Sequence, residues 1–250
     1  NRDCAETQCH SAQDCVEPPS GMVGWWTSDQ TTDDSSGQGN HGVLRNGALY
    51  STGQVLEAFD FDGNDDHVEV SDDPSLNFAG SDQFSIDAWI YPLESDASTG
   101  FIVDKRAESA DGTEDGYALQ LRDGALIVRT LSNSSGSVTH TVSNAAPFDE
   151  WTHVTVTVDL GADQGIVYLN GAQESTFQPS STGAGDLTNA APLFIGQSYD
   201  GTDRFFGRID EVEIFSRILT PLEVSSLYKA GACGKCRVSC VEGDETIDGG

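Results

Sequence analysis

The chain has 250 residues, 37% of them hydrophobic, with 27 glycines and 41 acidic against 12 basic side chains, for a formal net charge of -29. A surface this acidic repels nucleic acid and anionic membranes, and no stretch is apolar for long enough to insert into a bilayer, so neither kind of partner is expected. The length suits one large domain with two appendages: a Cys-containing segment at 1–20, a body at 21–231 and a second Cys-containing segment at 232–250.

The first segment carries Cys4, Cys9 and Cys15; the last carries Cys233, Cys236 and Cys240, and no cysteine lies between the two groups. Cysteines confined to both ends predict disulfides that clasp the termini in an oxidising compartment, with the pairing left open. A competing reading takes Cys233-x-x-Cys236 with Cys240 or His10 as a zinc site, but a second Cys-x-x-Cys pair is missing.

Between the clusters, short alternating segments separated by Gly, Asn, Asp and Ser turns predict an all-β antiparallel sandwich. Strands are expected at 22–26, 55–61 and 67–70, and then most clearly at 84–91, where Phe84, Ile86, Ala88 and Ile90 share one face and Trp89 and Tyr91 the other. Further strands are expected at 101–104, 117–122 and 125–131. From Trp151 to Asp159 the alternation returns, with Val154, Val156 and Val158 opposite His153, Thr155 and Thr157. It runs on to Ile166–Leu169 and the hairpin pair Asn170-Gly171. Strands at 193–196 and 208–215 follow. Thr220 as N-cap, Pro221, Glu223 closing a capping box and Gly231 as the stop predict one short C-terminal helix. Trp25, Trp26, Trp89 and Trp151 lie in or beside these strands and are expected in the core.

Five stretches in order carry a resemblance: Gly24-Trp25-Trp26 with Asp34-Ser35-Ser36-Gly37-Gln38-Gly39-Asn40-His41-Gly42; Phe59 to Val68; Phe84 to Ile90; Trp151-Thr152-His153-Val154 with Val167 to Gly171; and Phe206 to Val212, continuing through Arg217-Ile218-Leu219 to Tyr228. Together they resemble the laminin-G-like, concanavalin-A-like jelly-roll family of bacterial extracellular proteins. The resemblance implies a two-sheet jelly-roll sandwich with a bound calcium ion, in secreted or cell-surface multidomain proteins that bind glycans, matrix components or other surfaces. The tail 241–250 looks like the start of a further repeat, so the chain is expected to be part of a larger multidomain protein.

Carried onto this sequence, the family's metal site points to the Asp210 side chain, the Gly63 carbonyl and a carbonyl near Met22 to Gly24. Asp34, Asn40, Asp62, Asn64 and Asp66 are competing ligands, since Asp- and Asn-rich turns supply the six to eight oxygens that calcium takes. Capping of turns is the alternative role for Asp34, Asp66 and Asp210. For a glycan, the loop holding Tyr199, Asp200, Asp203, Arg204 and Phe205 combines aromatic and polar groups. Laminarinase-type relatives carry a Glu-x-Asp-x-Glu strand. Its nearest counterpart, Asp210-Glu211-Val212-Glu213, resembles the family's structural last strand, and simple alternation sets Asp210 out of step with the two glutamates. The expectation is therefore a non-catalytic, calcium-dependent binding or adhesion module for a glycan or an extracellular protein. The alternatives are a glycan hydrolase, which needs two facing carboxyl groups about 5–9 Å apart, and a structural spacer.

Overall fold

The structure, a computed structural model, describes residues 15–94, 99–110, 112–133, 136–180 and 185–236. In chain order the strands are β1 (Met22–Trp26), β2 (Gly42–Arg45), β3 (Leu49–Thr52), β4 (Glu57–Asp62), β5 (His67–Val70), β6 (Gln83–Pro92), β7 (Thr99–Glu108), β8 (Glu114–Arg122), β9 (Ala125–Ser132), β10 (Gly136–Val142), β11 (Thr152–Asp159), β12 (Gln164–Leu169), β13 (Ala172–Phe177), β14 (Leu193–Ile195) and β15 (Phe206–Phe215). One α-helix, α1 (Pro221–Ala230), follows. The first sheet runs β13-β12-β11-β6-β15-β4-β3, with β1 also on β15, and the second runs β10-β9-β8-β7-β14-β5-β2. These pairings are antiparallel, so the chain is the expected two-sheet jelly roll with one short helix.

Alternation explains the core. The inward faces of β6 and β11 put Phe84, Ile86, Ala88 and Ile90 beside Val154, Val156 and Val158. Tyr117 and Leu119 of β8 meet them from the other sheet. Phe84 stacks on Phe78 at 4.6 Å and lies 5.1 Å from Tyr117, whose hydroxyl donates to the Leu76 carbonyl. Each such large side chain contributes roughly 1.5–3 kcal/mol by leaving water. β2, β3 and β10 escape the sequence reading because they are sheet edges with mostly exposed or half-buried side chains, leaving no clean alternation.

The outer face of the first sheet is covered over one half. There Met22, Trp25, Tyr168 and Phe215 pack with Leu219 and with Val224 and Leu227 of α1. The expected capping box is present: the Thr220 hydroxyl accepts from the Glu223 N–H, and the Glu223 carboxylate accepts from the Thr220 N–H. Trp25, Trp26 and Trp89 are core, as expected. Trp151 is not: it lies just before β11, beyond the edge of the helix cover, and is only half-buried.

The two ends meet. Val16 pairs in parallel with Lys235, and Cys15 is bonded to Cys236 across a sequence separation of 221. Cys233 is also disulfide-bonded, which removes the zinc reading of Cys233 and Cys236. Cys4, Cys9 and Cys240 lie outside the described residues. No helix among the described residues is long and apolar enough to cross a membrane.

Candidate functional site

The site grows from an irregularity in β15. Register against β6 shifts between Asp210, opposite Trp89, and Glu213, opposite Asp87. Glu211 sits at the bulge with φ of 50°, a left-handed conformation that costs a non-glycine residue about 1 kcal/mol or more. The extra residue lets Ile209, Val212 and Ile214 all enter the core. It thereby sends Asp210, Glu211 and Glu213 away from the core, so the simple alternation expected from sequence does not hold here.

Asp210 has no exposed surface. Its Oδ2 accepts from the Val55 N–H at 2.8 Å, while its Oδ1 has no hydrogen-bond partner, and no ion pair reaches it among the described residues. Burial, with the charges of Glu211 and Asp29 adding to it, pushes this carboxyl well above the usual range. Two loops close over it. One follows β1, where Asp29 accepts from the Glu57 N–H at 3.0 Å and the Ser28 hydroxyl is buried without a partner. The other is the β3–β4 turn, where a Cβ on Gly53 would stand 2.6 Å from Asp210 Oδ2, so only glycine fits. Ser28, Gln30 and Leu56 share the left-handed backbone of Glu211. Strain concentrated around one point is the mark of a site that needs its geometry. Asp29 lies near enough for its charge to act on Asp210, and carboxylate oxygens suit a hard cation such as calcium.

Of the ligands read from sequence, Asp210 alone lies here. Gly63 follows Asp62, which pairs with Phe206, so it sits at the far end of β15, about 13 Å along the strand from Asp210. The Gly-containing turn at Asp210 is that of Gly53. The opening segment approaches Asp210 at Asp29, because Met22 pairs with Phe215 at the opposite end of the strand. Nothing in the local sequence distinguishes Gly53 from Gly63; only the register of β3, β4 and β15 does.

The competing ligands lie elsewhere. Asp34 accepts from the backbone N–H groups of Trp25, Ser36 and Asn40 and from the Ser36 hydroxyl, which saturates it as a cap of its loop. The Asn40 amide is spent on the Val23 carbonyl and Ser75. Asp62, Asp65 and Asp66 bring carboxylate oxygens within 4.8 Å of one another. Asp62 is capped by the backbone and side-chain N–H groups of Asn64, which lower its pKa, and burial raises that of Asp66. In the 199–205 loop Asp200 is exposed and Tyr199, Asp203 and Arg204 are half-buried. Phe205 is core, which removes it from any exposed platform. The Tyr199 ring lies 5.0 Å from Arg106, Asp200 caps Ser198 and Thr202, and Asp203 accepts from Gln120. The Arg204 Nε is buried with no hydrogen-bond partner.

A second carboxylate group lies on the same face, under the clasp. Lys235 reaches Glu211 at 2.5 Å and also pairs with Glu213, and its ammonium lies 4.9 Å from the Trp25 ring centroid. Beside them Asp87 accepts from Thr155 and pairs with His153 at 2.9 Å. Burial lowers the lysine pKa, but Glu211 and Glu213 outweigh it and hold the ammonium charged. Burial raises Glu213 despite Lys235, with Asp87 and Glu211 adding to the rise. The space among these groups, about 10 Å³, holds about one water. A sugar does not fit between these acids.

Residues 62–225 match the family model of the concanavalin A-like lectin/glucanases superfamily. The chain is 27% identical over 154 residues to adhesion G-protein coupled receptor V1 of Danio rerio, covering 60% of this chain and 2% of the receptor. Its fold matches the binding domain of Paraclostridial Mosquitocidal Protein 1 with a TM-score of 0.68 and 20% identity, over 83% of this chain and 52% of that one. It also matches domain 4 of AbnA, a GH43 extracellular arabinanase from Geobacillus stearothermophilus, in complex with arabinotriose, with a TM-score of 0.59 and 20% identity over 82% of this chain and 97% of that domain. The chain thus spans a small fraction of the receptor and about half of the toxin domain. With two antiparallel sheets, the bulged last strand and the match over 62–225, the chain belongs to the concanavalin A-like lectin/glucanases superfamily, in its laminin-G-like branch.

Proposed function

We propose that the chain is a non-catalytic, calcium-dependent binding module, secreted or displayed at the cell surface, that recognises a glycan or an extracellular protein. One observation carries the calcium: a fully buried carboxylate with an unpartnered oxygen, no cation partner among the described residues, and two strained loops folded over it. Asp210 and Asp29 would hold the ion with oxygens of Ser28 and of the Gly53 turn, and the ion would supply the positive charge that this oxygen cage lacks. The binding role is supported by structural neighbours, the binding domain of a mosquitocidal protein and an arabinanase domain in complex with arabinotriose. The hydrolase alternative is disfavoured because Asp87, Glu211 and Glu213, the carboxylates under the clasp, are buried and paired to His153 and Lys235.

The test is thermal unfolding with calcium against chelator. For a site of micromolar affinity at millimolar calcium, linkage stabilises by about 4 kcal/mol, a rise in Tm on the order of 10 °C. Sodium at matched ionic strength should reproduce little of it. Asp210→Asn should remove most of the calcium-dependent shift, and the same change at the exposed Glu174, on β13, should leave it intact. A shift that both variants retain would end the assignment. Incubation with β-glucans and galactans should release no reducing ends.

A further inference from the structure

We propose that the uncovered half of the first sheet's outer face, beside Asp210, is a platform for a neutral oligosaccharide, built by Trp151, Tyr91, Arg208 and Asp60; this rests on the reading of the chain as a glycan-binding module. Four elements contribute one side chain each to a single row across the sheet. Arg208 of β15 is the cross-strand partner of Asp60 on β4 and of Tyr91 on β6. Trp151 extends the row on the far side, one residue before Thr152, whose partner is Ile90. The Trp151 and Tyr91 rings are 5.4 Å apart, and the Arg208 guanidinium lies 5.0 Å from the Tyr91 centroid.

The row begins where the helix cover ends. One step along β6, Trp89 is buried and stacks at 5.8 Å on Tyr228 of α1, whereas Tyr91, Trp151, Arg208 and Asp60 are all half-buried. Half-burial fixes these side chains while leaving an edge in water. Arg208 is also under-used: it donates to the Thr52 carbonyl at 3.2 Å, its Nε has no partner, and it makes no ion pair among the described residues although Asp60 stands opposite. Arg106 and Arg217, by contrast, are both committed to carboxylates.

These groups match the chemistry of a sugar. Aromatic rings take the C–H face of a furanose or pyranose ring, a guanidinium donates to hydroxyl oxygens, and a carboxylate accepts from neighbouring hydroxyls. The ligand should be neutral, because Asp60 within the row and a net charge of -29 both disfavour sialylated or sulfated chains.

The full chain should be titrated with neutral gluco-, galacto-, manno- and arabino-oligosaccharides, and with sialyllactose and a sulfated disaccharide, each in calcium and in chelator. At least one neutral series should bind. Trp151→Ala and Tyr91→Ala should each weaken it roughly tenfold, while Trp151→Phe retains most of the affinity and all three variants keep the wild-type calcium shift in Tm. Neutral binding that Trp151→Ala and Tyr91→Ala both leave intact would overturn the platform, as would preference for the anionic sugars or a wild type that takes no neutral sugar. A missing calcium shift beside a normal Trp151 effect would instead overturn the calcium assignment alone.

Discussion

Two carboxylate groups lie within four residues of one another on β15, and the chain treats them oppositely. Glu211 and Glu213 receive a cation from the protein itself, Lys235, carried in by the terminal clasp and seated against both glutamates. Asp210 receives none among the described residues, and like Glu213 it keeps a buried oxygen without a hydrogen-bond partner. A buried charge is tolerated only when it is compensated or protonated. The first group is therefore compensated by a cation of the chain, whereas Asp210 meets no such cation among the described residues and burial raises its pKa.

The comparison breaks most severely if the clasp is cut. Cys15→Ser with Cys236→Ser removes a bond closing a loop with a sequence separation of 221. The chain-entropy model puts its worth at roughly 5 kcal/mol, measurable by denaturant unfolding. Lys235→Met alone should cost about 3–5 kcal/mol, since it strands two buried carboxylates. Adding it to the cysteine variant should cost clearly less, because the clasp and the lysine act as one unit. Full additivity would mean that Lys235 stays seated without the disulfide. The opposite behaviour is expected of Asp210: in chelator, Asp210→Asn should change stability by less than about 1 kcal/mol or raise it, as an uncompensated charge is removed. A loss as large as that of Lys235→Met would erase the distinction between the two groups.

The smallest effect concerns an ordinary half-buried pair and calibrates the others. Hydrogen bonds from Arg217 lower the Glu223 pKa from 4.5 to about 2. A depressed carboxyl stabilises above its unfolded value, so this contribution is complete above about pH 4.5 and is lost as pH falls from there toward about 2. Solvent screens the pair, and Glu223→Gln should cost only about 1 kcal/mol at neutral pH. The difference from wild type should shrink in acid, as followed by unfolding at a series of pH values.

Legibility in the sequence followed burial. The strand at 84–91 and the helix with its Thr220 and Glu223 cap were readable because each needs only local information, a period of two or a capping box. β2, β3 and β10 were not, since edge strands bury too little for their alternation to show. The resemblance singled out Asp210, which the structure places fully buried with an unpartnered oxygen, and the joining of the termini was legible from six cysteines at the two ends. Trp151 was misjudged as core, because its place depends on where α1 stops covering the sheet.

By itself, then, the sequence determined the sandwich, the helix and its caps, the covalent closure and the acidity, all properties of residue type and short-range spacing. Tertiary structure alone decided which acids meet a cation and which do not. The bulge at Glu211 turns neighbouring side chains to new directions. Register puts Gly53 rather than Gly63 beside Asp210, and segments from the chain's two ends place Asp29 near Asp210 and Lys235 beside Glu211. Those are contacts between residues far apart in sequence, where a one-residue shift in pairing reverses every side chain.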